Sequence, residues 1–139
     1  MQENVWYRDL FSSEAPARLG KYDWSIQSKH EVEFITHALG LHNKNSILDL
    51  CCGKGRHLYE FRNLGFNAFG ADLSNYMLTQ CKEKTQELKK GTLVCQCDMR
   101  DIPFRECFDA VVILLTSFGY LETDDDNIQV LKAMADVLK

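Results

Sequence analysis

The sequence predicts an α/β fold, a parallel sheet with helices on both faces, from three observations. Strand-like and helix-like segments alternate four times from Ser46 onward. A glycine-containing turn, Cys51-Cys52-Gly53-Lys54-Gly55, joins the first of those strands to its helix. Residues 108–115 (FDAVVILL) are apolar nearly throughout, which suits a strand covered on both faces.

Each element has its own local reason. Residues 1–28 are irregular, aromatic and charged, with Pro16 and Gly20 as breakers. Residues 27–40 read as a helix burying Val32, Ile35 and Leu39, with Phe34 and Ala38 beside them, and Gly40 ends it. Residues 46–50 (SILDL) form the first strand. The helix after the glycine turn carries Leu58, Phe61 and Leu64 on one face and stops at Gly65. Residues 66–71 form the second strand, which runs into Asp72. Ser74 caps the next helix, which buries Met77, Cys81 and Leu88 and ends at Gly91. Residues 92–97 form the third strand, which ends at Asp98, and a loop with Pro103 leads to the fourth. Residues 124–139 form the last helix, with Ile128, Leu131, Met134 and Leu138 inward. Its acidic start, Asp124 to Asp126, suits the positive end of the helix dipole.

Composition excludes several classes. A chain of 139 residues supports one domain with a core. The net charge of −4, with no polybasic run, argues against duplex nucleic acid or an anionic membrane as partner. The N-terminus has no signal-peptide pattern, and the longest apolar run, residues 110–115, is too short to span a bilayer. The six cysteines show no zinc-type spacing and the four histidines are scattered. They read as small, buried, reduced thiols of a cytoplasmic protein, with no metal.

Parallel sheets bind ligands outside the carboxyl ends of their strands. At the first such end, glycines allow a tight turn and close approach of a ligand, and the helix that follows offers free N–H groups. The sequence is not a phosphate-binding P-loop, because no GK[ST] follows. It is a poor dinucleotide fingerprint, because the third glycine would fall at Leu58.

With those residues in view, residues 47–55 resemble the first motif of class I (Rossmann-like) S-adenosylmethionine-dependent methyltransferases, an acid followed by GxGxG. The likeness continues in register. Gly70-Ala71-Asp72-Leu73-Ser74 resembles the acidic end of the family's second strand, Cys97-Asp98-Met99 the end of the third, and residues 108–112 the fourth-strand motif. The helix ending Val137-Leu138-Lys139 resembles the one before the fifth strand. Cys51 departs from the pattern where the family usually has its first glycine; a cysteine suits the place if positive φ is not needed there.

The resemblance implies a Rossmann-like three-layer sandwich with strand order 3-2-1-4, and S-adenosylmethionine as cofactor with S-adenosylhomocysteine as product. It implies that Gly53 and Gly55, beside Cys51, let the backbone reach the methionine part. Asp49 orients the loop or accepts from the amino group. Asp72 accepts from the ribose hydroxyls, Leu73 packs on the adenine, Asp98 accepts from the adenine amino group and the Met99 N–H donates to the ring. Asp98 as a turn-forming aspartate is the competing reading. Leu115, ending the fourth strand, and Tyr22, on an N-terminal lid with Tyr7 and Trp24, complete the set; packing aromatics are the equal alternative for those three. Arg56 reads as a solvated surface residue before a ligand to the cofactor carboxylate, and His57 as structural before a general base. No catalytic residue is assigned, and Ser117 or Tyr120 as base has no support.

Two units follow, an irregular lid over residues 1–28 and a cofactor-binding domain over 29–139. The function implied is methyl transfer to a small molecule. Residues 115–120 lack the [DNS]-PP-[YFW] sequence of enzymes acting on amino groups of bases or glutamine. A non-catalytic module binding the cofactor or its product is the alternative, and a nicotinamide-dependent oxidoreductase domain is a weaker one. By the family's order of seven strands, the C-terminal strands are missing from these residues. The fourth strand is then expected to keep an open edge, to favour a homodimer through it, and to leave cofactor binding weak and turnover small.

Overall fold

The computed structural model describes residues 6–13, 25–86 and 93–139. Tyr22, Trp24, Pro16, Gly20, Leu88, Gly91 and Thr92 lie outside the described residues. The elements in chain order are α1 (Trp6–Leu10), α2 (Ser25–Ala38), β1 (Ser46–Leu50), α3 (Arg56–Asn63), β2 (Asn67–Asp72), α4 (Asn75–Thr85), β3 (Leu93–Gln96), β4 (Ala110–Ile113) and α5 (Asp124–Asp136). The sheet is parallel with order β3-β2-β1-β4. No helix among the described residues is long and apolar enough to cross a membrane.

Alternation along β1 builds the three layers. Leu48 and Leu50 face a core with Val130 and Ala133 of α5 and its C-cap Val137. Ile47 faces the opposite core, with Val32 of α2, Leu58 and Phe61 of α3 and Cys81 of α4. Side chains two apart share a face, so Asp49 lies on the side of α2, α3 and α4.

The helix stops fall where glycines were expected to put them. Gly40 (φ 62°) and Gly65 (φ 91°) take the left-handed conformation. Behind each, paired bonds close the helix: Leu41 N–H to the Thr36 carbonyl at 2.8 Å, and Phe66 N–H to that of Phe61 at 3.0 Å. The Ser74 hydroxyl accepts from the Met77 N–H at 3.1 Å, the cap read from sequence.

Several expectations are corrected. The segment read as irregular contains α1, and α2 already starts at Ser25. On α2 the buried residues are Ser28, Val32 and Thr36, with Ile35 partly buried, while Phe34 and Leu39 are exposed. Thr36 fits because its hydroxyl bonds to the Val32 carbonyl at 2.9 Å. On α5 and the two residues after it the inward stripe is Val130, Ala133, Met134 and Val137; Ile128, Leu131 and Leu138 are exposed. The sheet presents the bulky Phe69 and Phe108 there, so the small side of the helix packs closest. Leu64 is also exposed. The fourth strand is shorter than residues 108–115, and its outer edge is not wholly open: Phe108 forms a parallel bridge with Leu138. Cys107 is exposed, against the reading of buried thiols.

Candidate active site

In this order β1 leads to β2 on one side, while β4 lies on the other. The crevice between the diverging connections is the switch point where α/β sheets take ligands. A cavity of about 990 Å³ opens there at the strand carboxyl ends. Asp49, Cys51, Gly53, Asp72, Leu73, Asp98, Met99 and Leu115 all line it.

The turn after β1 shapes one wall. Cys51, Gly53 and Gly55 all have positive φ, at 60°, 53° and 77°. The departure at Cys51 thus falls on a left-handed position, the condition under which cysteine is strained. Its Sγ sits 3.8 Å from the Met99 Sδ. The two glycines do different things. A Cβ on Gly53 would meet nothing, so this residue leaves cavity space open. A Cβ on Gly55 would run into Cys81 Sγ, so Gly55 lets α3 start tight against α4 and does not line the cavity.

The three acids are in different electrostatic states. Asp49 is buried; it accepts the Leu58 N–H, while its Oδ2 has no partner among the described residues. Burial, and then the charge of Asp72, push its pKa up to about 7. Asp72 Oδ2 accepts from Gly53 N–H at 2.8 Å and Oδ1 from Ser74 N–H at 2.9 Å, so it pins the β1 turn. Burial still raises its pKa against those bonds. Asp98 is clasped by Arg100. Its Oδ1 accepts from the Arg100 backbone N–H (2.9 Å) and Nε (3.0 Å), and its Oδ2 from Nη2 (2.9 Å). That bond to Arg100 holds the Asp98 pKa below the ordinary range. The turn-forming reading of Asp98 therefore holds, alongside its place on the cavity wall.

Residues from α1 and the turn after it form part of the cavity wall. Tyr7 and Phe11 line the cavity and stack on Tyr120 at centroid distances of 6.1 and 6.2 Å, with Trp6 at 4.9 Å from the same ring. Ser74 Oγ tethers this segment by donating to the Phe11 carbonyl at 2.5 Å. Leu115 stands on the rim with φ 60°, a second strained residue at a strand end. Ser117 lines the cavity as well.

Arg56 and His57 differ from their sequence reading. Arg56 is not a solvated surface residue: its side chain is 17 % exposed and its Nη2 lies 3.5 Å from Glu31 Oε2. His57 is buried and held, as a structural histidine would be, with Nε2 2.6 Å from the same oxygen, yet its ring also lines the cavity. Glu31, Arg100 and Phe11 were not singled out from sequence. Glu31 and Phe11 reach the site only through the packing of α2 and α1, and no local motif marks them.

A parallel sheet of this order, with a glycine turn over a buried acid at its switch point, is a Rossmann-like ligand-binding domain. A family model described as a methyltransferase domain matches residues 47–139, and the chain belongs to that family. It is 41% identical over 100 residues to YqeM of Bacillus subtilis (strain 168), which carries a methyltransferase name; the match covers 71% of this chain and 40% of the relative. An S-adenosylmethionine-dependent methyltransferase of Clostridium acetobutylicum superposes with a TM-score of 0.73 at 22% identity, covering 97% of this chain and 52% of that one. CalS10 of Micromonospora echinaspora, an amino pentose methyltransferase solved with S-adenosylmethionine bound, superposes at 0.68 with 24% identity, over 100% and 53%. These two likenesses concern the fold. The chain spans 33–45% of the length of the curated relatives it matches.

Proposed function

We propose that this protein binds S-adenosylmethionine in the large cavity and transfers its methyl group to a small-molecule acceptor. The observation that carries this reading is the buried Oδ2 of Asp49, without a partner among the described residues, on a cavity whose neighbouring strand ends carry Asp72 and Asp98. An orphaned acceptor there fits the cofactor's ammonium group. Asp72 keeps lone pairs for the ribose hydroxyls, Leu73 offers an apolar face to the adenine, and Asp98 and Met99 flank its edge. Cys51, Gly53, Leu115 and the segment carrying Tyr7 enclose the rest. When bound, the cofactor supplies an electrophilic methyl on a sulfonium. The protein's part is to hold, align and exclude water. Membership of the methyltransferase family and the ligand of CalS10 support the reading.

Calorimetry with S-adenosylhomocysteine, S-adenosylmethionine and NAD tests it. Binding of the first two and not the third is expected; binding of NAD alone would overturn it. Methyl transfer from labelled cofactor into a metabolite extract separates an enzyme from a cofactor-binding module.

The same reading puts the protein in the cytoplasm, whose reducing conditions suit its six free cysteines. It also includes a two-fold dimer joined through β4. Ala110–Ile113 pair with β1 on one side and have no strand partner on the other among the described residues. Sedimentation at micromolar concentration is expected to show the dimer, and a clean monomer would remove it.

A further inference from the structure

A second cavity, of about 180 Å³, adjoins the first and is lined by Glu31, Phe34, Ile35, His57, Leu114 and Leu115. His57, Leu114 and Leu115 line both cavities, so the two meet along these three side chains. The sheet order puts the β4 end, which carries Leu114 and Leu115, at the opposite edge from β3 and Asp98. The small cavity therefore lies at the far end of the site from the proposed adenine position. Its lining is four apolar side chains, one carboxylate and one imidazole.

The two polar groups act as a unit. His57 Nε2 is 2.6 Å from Glu31 Oε2, and the His57 side chain is 6% exposed. Gln27 Nε2 donates to the other Glu31 oxygen at 2.9 Å. Burial works to raise the Glu31 pKa, but the bonds from His57 and Gln27 and the charges of His57 and Arg56 leave it lowered, so Glu31 is ionised. Burial lowers the His57 pKa, helped by Arg56 and Lys84 and opposed by Glu31, so the ring is neutral at neutral pH. A neutral ring that gives its Nε2 proton to a carboxylate keeps its lone pair on Nδ1. A base oriented by a third group is the arrangement that activates a nucleophile.

We propose that the small cavity is the acceptor subsite, that the acceptor is a small primary amine arriving as its ammonium, and that His57 removes its proton. This rests on the methyl-transfer reading above. The anionic Glu31 draws the ammonium in, and Phe34, Ile35, Leu114 and Leu115 take its apolar body. An N–H bond of the ammonium breaks and its electron pair stays on nitrogen. The proton goes to His57 Nδ1, and Glu31 balances the imidazolium. The freed pair forms the new N–C bond to the methyl group as the C–S bond of the sulfonium donor breaks and its pair returns to sulfur. The products are a methylated ammonium and a thioether.

The test uses the full-length protein, with propylamine and 2,2,2-trifluoroethylamine as probes of similar bulk. Propylamine is charged at neutral pH and trifluoroethylamine is not, so only the first needs a base. His57→Asn and Glu31→Gln are each expected to lower kcat/KM for propylamine by about 10²–10⁴-fold. Their loss with trifluoroethylamine should stay under about tenfold, and their affinity for S-adenosylhomocysteine by calorimetry should stay within about twofold of the parent. Glu31→Gln carries the test if His57→Asn fails to fold. Equal losses on both amines would mean a structural role and overturn the base assignment. A parent protein that binds S-adenosylhomocysteine but methylates neither amine would overturn the amine subsite. A parent protein that does not bind S-adenosylhomocysteine would overturn the reading beneath both.

Discussion

The end of β1 and the end of β3 both place an aspartate on the same cavity, and the two differ in what surrounds the charge. Asp98 has a guanidinium against both oxygens, and Arg100 passes on to Asp126 of α5 at 3.2 Å. Asp49 is buried beside the like charge of Asp72, with Arg56 acting on it only through its charge, and one of its oxygens has no partner among the described residues. The same residue type is thus complete in itself at one end of the site and waiting for a positive group at the other. Burial with a counter-charge makes structure, whereas burial without one stores a cost that a ligand can relieve.

The comparison breaks most sharply at Asp49. Its folded pKa of about 7 lies above the ordinary carboxylate value of 3.8. Between those two pH values the folded chain holds a proton that the unfolded chain has lost, so stability falls as pH rises from about 4 to 7 and then levels. Asp49→Asn keeps an acceptor for the Leu58 N–H and removes that slope. It is expected to be more stable than the parent at pH 8, by about 4 kcal/mol, and close to it at pH 4. Urea melts at both pH values check this; equal stabilities at pH 8 would mean that Asp49 is not charged at a cost. Because a bound ammonium would favour the carboxylate, affinity for S-adenosylhomocysteine should also drop below about pH 7 in the parent and lose that dependence in the variant.

A smaller effect separates the other two acids. Asp72→Ala is expected to weaken S-adenosylhomocysteine binding by about 1–3 kcal/mol, since it removes both a ribose acceptor and the pin on Gly53. Asp98→Ala should cost less, because Arg100 already occupies its carboxylate. Calorimetry on the two variants settles the order, and a larger loss at Asp98 would reverse the comparison drawn here.

The smallest effect concerns the turn. Cys51→Gly relieves a left-handed cysteine at φ 60° and should stabilise the fold by about 1 kcal/mol, less the lost contact with Met99. A rise of a few degrees in thermal midpoint is the readout, and a fall would mean that the Cys51 contact outweighs the strain.

Much of this molecule was legible because it is local. Gly40 and Gly65 end helices through their own backbone freedom, and Ser74 caps a helix start from three residues away. The acids at the strand ends could be placed because side-chain alternation and the register of strand, turn and helix depend on neighbours in the chain. Less legible was the choice between two apolar stripes on α2 and α5. Hydropathy marks Phe34, Leu39, Ile128 and Leu131 as core, yet all four are exposed, since shape against the sheet decides which side packs.

By itself the sequence determined the order of elements from α2 onward, the parallel α/β class and the three acids that ring the cavity, because these follow from periodicity, turn chemistry and spacing along one chain. Only the tertiary structure decided their charge states and their partners. Glu31 meets His57 across 26 residues, and α1 folds back so that Phe11 reaches Ser74 across 63. Asp98 and Asp49 diverge because one has a guanidinium bonded to both oxygens and the other is buried beside a like charge. Desolvation and pairing are properties of the space around a group, and that space exists only once distant segments have packed.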